Sequence, residues 1–301
     1  MITVLMSTYN GEKYIREQID SILNQENVEV QLLIRDDEST DNTINMLKEY
    51  EKSNNNVQWY AGSNLGCGKS FFQLVLGAPE SDYYAFADQD DVWDPDKLAV
   101  AISNLESNTN SKPSLYCSTA RPVDIDLNYL PQRKFSNIDL VLGISLTQAI
   151  SPGCSYVFNY LLLEKFKKMK IDNIDIHDWA LLRVVTAIDG YIFFDTEPHF
   201  SYRQHGNNVV GYQSSFLEHW IGRLKRFRNR DYRNIRHKMA IVLKNTYYEE
   251  MSEYNKILLD KFINYDLNIK SKWYLIKSNE IRMIKTTDNF IFKILILFCL
   301  V

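Results

Sequence analysis

A chain of 301 residues with 45% hydrophobic and 13% aromatic side chains has ample material for a packed core, which excludes a disordered or low-complexity protein. Net charge is only −4, but residues 1–215 hold 17 Lys+Arg against 29 Asp+Glu while residues 216–301 hold 17 against 9, giving −12 and +8. The first part is too acidic for a nucleic-acid partner, and the asymmetry divides the chain into 1–215 and 216–301. Cys67, Cys117, Cys154 and Cys299 lie far apart without a Cys-x-x-Cys pair, the pattern of reduced thiols in a cytosolic protein. Met1 leads directly into an apolar run with no secretory signal, and no apolar run reaches the roughly 18 residues of a membrane span.

The apolar run Ile2–Met6 is too short for a helix and ends on the polar Ser7-Thr8-Tyr9-Asn10-Gly11, which predicts a buried strand and a loop. Tyr14, Ile15, Ile19, Ile22 and Leu23 recur at helical spacing. A second strand, Val30–Ile34, stops on Arg35-Asp36-Asp37-Glu38-Ser39-Thr40-Asp41, and a helix follows from about Asp41. Val57–Tyr60 is a third strand, and Asn64-Leu65-Gly66-Cys67-Gly68 leads into another helix. Tyr83–Ala87 is a fourth strand and delivers three carboxylates, Asp88, Asp90 and Asp91, before Trp93-Asp94-Pro95 turns the chain into a helix reaching about Leu105. Beyond it lie strand-like runs at Ser114–Ala120, Pro122–Tyr129 and Ser155–Phe158, an ambiguous stretch at 137–150 and a helix near 160–169. His177-Asp178-Trp179 opens a further helix; short strands at Tyr191–Phe194 and Phe200–Tyr202 follow, and Arg203–Asn208 closes the acidic part.

Alternating strands and helices predict an α/β fold, a mostly parallel central sheet with helices on both faces. In such sheets ligands sit beyond the carboxyl ends of the strands, so the loops at 7–11, 35–41 and 88–91 converge on one crevice. Carboxylates as close as Asp88, Asp90 and Asp91 repel one another and stay ionised only if a cation compensates them; all-oxygen ligands favour Mg²⁺ or Mn²⁺. The plain alternative is a solvated acidic turn that caps the following helix.

Ser7-Thr8-Tyr9-Asn10-Gly11, Asp36-Asp37 with Ser39 and Asp41, Asp88-Gln89-Asp90-Asp91, His177-Asp178-Trp179 and Tyr202-Arg203-Gln204-His205, in this order, resemble glycosyltransferase family 2, in its bacterial rhamnosyltransferase-like branch. The resemblance covers about 1–212 and implies the Rossmann-like GT-A fold, with a nucleotide-sugar half at about 1–105 and an acceptor and catalytic half at about 106–215. It implies that Thr8, Tyr9 and Asn10 line the nucleoside pocket and that Asp37, with Asp36, accepts a hydrogen bond from the imide of uracil or thymine. It places Asp88 on the ribose, Asp90 and Asp91 on the metal, His205 on the metal or diphosphate, and Gly153 against the donor sugar. Lys69 either reaches a phosphate or is a solvated helix lysine; Arg203 either faces the diphosphate or pairs with an acidic neighbour. Asp178 corresponds to the catalytic base, the plain alternative being a helix cap; relatives more often show Glu-Asp or Asp-Asp where this chain has His177-Asp178.

The activity so implied is inverting transfer of a sugar from dTDP-rhamnose or a UDP-hexose to a hydroxyl of a growing, lipid-linked bacterial surface polysaccharide. Two rivals are a metal-dependent phosphohydrolase, whose nucleophile motifs are absent, and a nucleotide-sugar-binding module without catalysis. Residues 216–301 are expected to form a basic helical extension. Arg223–Lys238 carries eight Lys+Arg and one acid alongside Trp220, Ile221, Leu224 and Phe227. Such a helix either lies on the anionic inner face of the cytoplasmic membrane or packs on the catalytic part. The apolar stretch Phe290–Val301 is too short to span and reads as a membrane-dipping helix, a docking helix or an oligomer contact.

Overall fold

A computed structural model describes residues 1–108, 111–131, 138–205 and 230–300. The chain forms two compact units, each discontinuous in sequence: Met1–Asp139, Ser151–Leu181 and Gly190–Asn208 make the first, and Leu140–Ile150, Leu182–Asp189 and Val209–Val301 the second. The charge asymmetry divides the chain once, near 215, whereas residues 140–150 and 182–189 group with the C-terminal helices.

In the first unit, β1 (Ile2–Thr8), α1 (Ile15–Leu23), β2 (Val30–Asp36), α2 (Thr43–Ser53), β3 (Val57–Ala61), α3 (Cys67–Gly77) and β4 (Tyr83–Ala87) alternate as the patterning predicts. β1 and β4 are almost wholly buried runs, as strands covered on both faces must be. α1 buries Ile15, Gln18, Ile19 and Ile22, one stripe at helical spacing. After β5 (Val92–Trp93) and α4 (Lys97–Leu105) come β6 (Ser114–Ser118) and β7 (Arg121–Val123); past α5 (Leu142–Ser145, in the second unit) come β8 (Val157–Asn159), α6 (Tyr160–Phe166), α7 (His177–Ala187), β9 (Tyr191–Asp195) and β10 (Phe200–Arg203). The strand expected over Pro122–Tyr129 is shorter: beyond Val123 the Asp124 carboxylate accepts the N–H groups of Asp126 and Asn128 and folds the segment into a turn.

Seven strands form one sheet in the order β3-β2-β1-β4-β8-β6-β9. The first four are parallel, with Thr8 opposite Asp36 and Met6 opposite Ala87, so their carboxyl ends share an edge. β8 runs antiparallel to β4, pairing Ala85 with Val157, and therefore enters at that edge. α3 packs on β1 and β2, and α4 on β6 and β8. A second sheet, β5-β10-β7, pairs Phe200 with Trp93 and Ser201 with Val92, and so returns the chain beside the acidic loop.

Among its described residues the second unit is helical: α5, the second half of α7, α8 (Arg230–Tyr247), α9 (Glu253–Ile263), α10 (Ile269–Lys277) and α11 (Thr286–Leu297). The Asn255 amide donates to the carbonyls of Thr186 and Ala187, and Arg183 and Arg236 donate to the carbonyls of Ser145 and Thr147. These buried bonds explain why two short inserts group with the tail. Arg236 is half-buried and tied to Thr147, while Trp220, Ile221, Arg223, Leu224 and Phe227 lie outside the described residues, as do Gly206, Asn207 and Asn208. Among the described residues no helix is long and apolar enough to cross a membrane.

Candidate active site

The loops leaving β1 and β2 are bonded to each other. Thr8 Oγ1 donates to Asp36 at 2.9 Å, and Asp36, fully buried, also accepts the backbone N–H and hydroxyl of Ser39. Asn10 donates its backbone N–H to Ser39 Oγ and accepts the N–H of Thr40, in the left-handed conformation that asparagine tolerates (φ 48°). Tyr9 is half exposed, and its backbone N–H and C=O are held by the Gln89 amide at 2.8 and 3.0 Å. Asp37, expected to accept from a base, is buried and accepts three donors of the chain: Arg35, and the N–H groups of Leu65 (3.0 Å) and Gly66 (2.9 Å). A buried guanidinium needs a counter-charge, and Arg35, two residues away, takes Asp37 for it. Gly66 makes its contact at φ 78°, a conformation that favours glycine.

The three acidic side chains after β4 part ways. Asp90 Oδ2 meets His205 Nε2 at 2.7 Å. Asp91 is buried; its Oδ1 accepts the Arg203 backbone N–H at 3.2 Å, and its Oδ2 has no nitrogen or oxygen donor among the described residues. Among the described residues the group whose ligand-type atoms lie within 4.8 Å of one another is Asp88, Asp91 and the Cys154 thiol, whereas of the expected trio Asp90, Asp91 and His205 only Asp90 and His205 are paired. Burial, reinforced by Asp90 and Asp178, pushes Asp88 up to about 7. Burial with repulsion from Asp90 and Asp88 raises Asp91 well above the usual carboxylate range. Behind them Lys97 is buried with its ammonium 3.6 Å from the Trp93 ring, and burial pulls it down to about 7. Clustered carboxylates that resist ionisation, one with a buried oxygen that no nitrogen or oxygen donor satisfies, fit a hard divalent cation.

Asp178 opens α7 beneath the turn that precedes β8. Its Oδ1 accepts the Trp179 N–H at 2.6 Å, the Gly153 N–H bonds it as well, and burial still holds its carboxyl up at about 6. A Cβ on Gly153 would stand 2.8 Å from Asp178 Cβ and 3.0 Å from His177 Nε2, so glycine is required there for lack of room. His177 stacks on Phe71 at 3.9 Å and meets Phe86 edge-on; burial pulls it down to about 3, which makes it a neutral aromatic wall rather than a second base.

Arg203 takes the second of its two alternatives: it is buried, and its guanidinium donates to the carbonyls of Asp90 and Ile125 and pairs with Glu17, the acidic neighbour. Lys69 lies half exposed, 3.9 Å from the exposed Asp172, on the helix surface. Sequence reasoning missed Arg35, Cys154 and Lys97, together with Tyr14 and Glu17, which contact Arg203. The spacings Trp93-x-x-x-Lys97 and Tyr14-x-x-Glu17 were the available signals.

A mostly parallel sheet whose carboxyl edge carries an acidic loop, with a carboxylate opening a later helix, has the GT-A fold. Residues 1–349 of S. aureus TarS in complex with UDP-GlcNAc share it with a TM-score of 0.62 at 18% identity, over 93% of this chain and 76% of that one. Mannosyltransferase PcManGT from Pyrobaculum calidifontis, in complex with GDP-Man and Mn²⁺, matches with a TM-score of 0.54 at 18% identity, over 91% and 71%. The model of glycosyl transferase family 2 matches residues 3–167, more than half of the chain. The dTDP-rhamnosyl transferase RfbG of Shigella flexneri is 34% identical over 253 residues, covering 79% of this chain and 84% of that protein. The chain belongs to glycosyl transferase family 2.

Proposed function

We propose that the protein is an inverting glycosyltransferase that moves rhamnose from dTDP-rhamnose, or a hexose from a UDP-hexose, to a hydroxyl of a lipid-linked bacterial polysaccharide. The observation that carries this reading is Asp178, a carboxylate raised to about 6 and close enough to Asp88 to raise that group too. The likeness to RfbG favours dTDP-rhamnose as donor.

In this reading the nucleoside lies over Tyr9 and the loops fixed by Asp36 and Asp37, Asp88 accepts from the ribose, and Asp90, Asp91 and His205 hold Mg²⁺ or Mn²⁺. The metal supplies charge neutralisation for the departing diphosphate. Asp178 takes the proton of the acceptor hydroxyl as that oxygen attacks the anomeric carbon from the side opposite the leaving group, so configuration inverts. A carboxylate of raised pKa is the stronger base, and burial that raises it also excludes competing water. Gly153 lets the base sit against the turn without an intervening side chain. The wall of His177, Phe71 and Phe86 contributes no proton.

The reading is tested by melting the full chain with UDP, dTDP and their sugar conjugates, with and without Mn²⁺, followed by product analysis. Stabilisation by one nucleotide series and a product of inverted configuration are expected. Absence of stabilisation by every nucleotide would leave the donor site without support.

A further inference from the structure

We propose that Tyr14, Glu17 and Arg203 form a strut that positions Asp90 and His205, an inference that rests on the reading of those two residues as metal ligands. All three are positioning residues. The His205 imidazole stacks on the Tyr14 ring, with centroids 5.1 Å apart and planes 16° from parallel, and the Arg203 guanidinium carbon lies 4.8 Å from the same ring. Arg203 reaches the acidic loop twice: its Nε donates to the Asp90 carbonyl at 2.9 Å, and its backbone N–H donates to Asp91 Oδ1 at 3.2 Å. Its Nη1 donates to the Ile125 carbonyl at 2.6 Å, and its Nη2 pairs with Glu17. Tyr14 and Glu17 stand three residues apart at the start of α1, so one helical turn carries the platform for the imidazole and the counter-charge for the guanidinium.

The strut thus ties together two ligands 115 residues apart in the chain. An imidazole free to rotate loses ligand geometry, and a carboxylate loop free to spread loses it too; partners around metal ligands commonly change metal affinity ten- to a hundredfold. The geometry also explains why a buried arginine stands beside a cation site. Its charge is matched by Glu17, and its orientation fixes the loop without opposing the metal.

The test titrates Mn²⁺ into the full chain, reading free Mn²⁺ by electron paramagnetic resonance and the metal-free melting temperature separately. Wild type is expected to bind Mn²⁺ and Asp90→Asn to lose that binding; if wild type binds none, the ligand reading falls and the strut's purpose with it. With wild-type binding established, Tyr14→Ala should raise the half-saturating Mn²⁺ concentration about tenfold, while Tyr14→Phe, which keeps the stacking ring, should stay within about twofold of wild type. Glu17→Gln, at an exposed position, should shift it in the same direction as Tyr14→Ala and serves if that variant does not fold. Unchanged Mn²⁺ affinity in Tyr14→Ala or Glu17→Gln, with or without a lower melting temperature, would make the three residues packing elements and overturn the proposal.

Discussion

At Asp178 one carboxyl is proposed to be a base and is partly withdrawn from water. Its pKa of about 6 exceeds the ordinary value, so its ionised form is the one the fold disfavours. Stability therefore declines as pH rises from about 4 to about 6, and that penalty persists at neutral pH. Asp178→Asn should remove it, raising stability by on the order of 2–3 kcal/mol at pH 7.5 while lowering transfer about 10²–10⁴-fold with donor binding kept. Thermal melts and initial rates check both, and retained turnover would take Asp178 out of the role of base. The wild-type rate should rise with pH through a limb near 6, since the base works only when deprotonated. Gly153→Ala should cost about 1–3 kcal/mol and lower kcat, because its Cβ would meet the base at 2.8 Å.

β2 and the loop after β3 are joined by a charge that the alternating pattern of β2 hides. Arg35 reads from sequence as the charged end of a strand, yet it is buried, and its guanidinium reaches the Ser63 carbonyl, Ser70 Oγ and Asp37. Asp37→Ala would leave that cation without its counter-charge and free the Leu65 and Gly66 N–H groups, at a cost of about 3–5 kcal/mol. Urea denaturation measures it, and a loss under about 1 kcal/mol would mean that the pair is not holding the loop. The strands, their order along the chain and the convergence of three polar loops on one edge were legible, because apolar runs and the charges that end them are local features. Less legible was whatever depends on direction or distant pairing. Nothing in Ser155–Phe158 says that its strand runs antiparallel, and nothing in Arg203 separates a diphosphate contact from the Glu17 pair. Asp178 was singled out as the proposed base through family pattern; its raised pKa comes from burial, which no spacing reveals.

The two units differ in surface as well as in charge. In the second, Leu267, Phe290 and Phe298 are 85%, 68% and 66% exposed, Trp273 is half exposed, and Lys270, Lys272 and Lys277 accompany them on or beside α10. Exposed aromatics among lysines suit an anionic lipid surface. The protein should therefore co-sediment with vesicles containing phosphatidylglycerol more than with pure phosphatidylcholine, less so at high salt. Trp273→Ser combined with Phe298→Ser should reduce that binding severalfold; equal sedimentation with both vesicle types would argue for a protein partner instead.

In the first unit the central strand β4 has consequences for synthesis. It is buried along its whole length, with β1 on one side and β8 on the other, and the second pairing runs to Asn159. On the ribosome, Tyr-Tyr-Ala-Phe-Ala therefore waits with one flank bare while some seventy further residues are made, an apolar edge of the kind that recruits other chains. A fragment ending near residue 105 would keep that flank permanently, so residues 1–105 would not make a portable module. It can be borrowed for a chimaera only together with the strand that closes it.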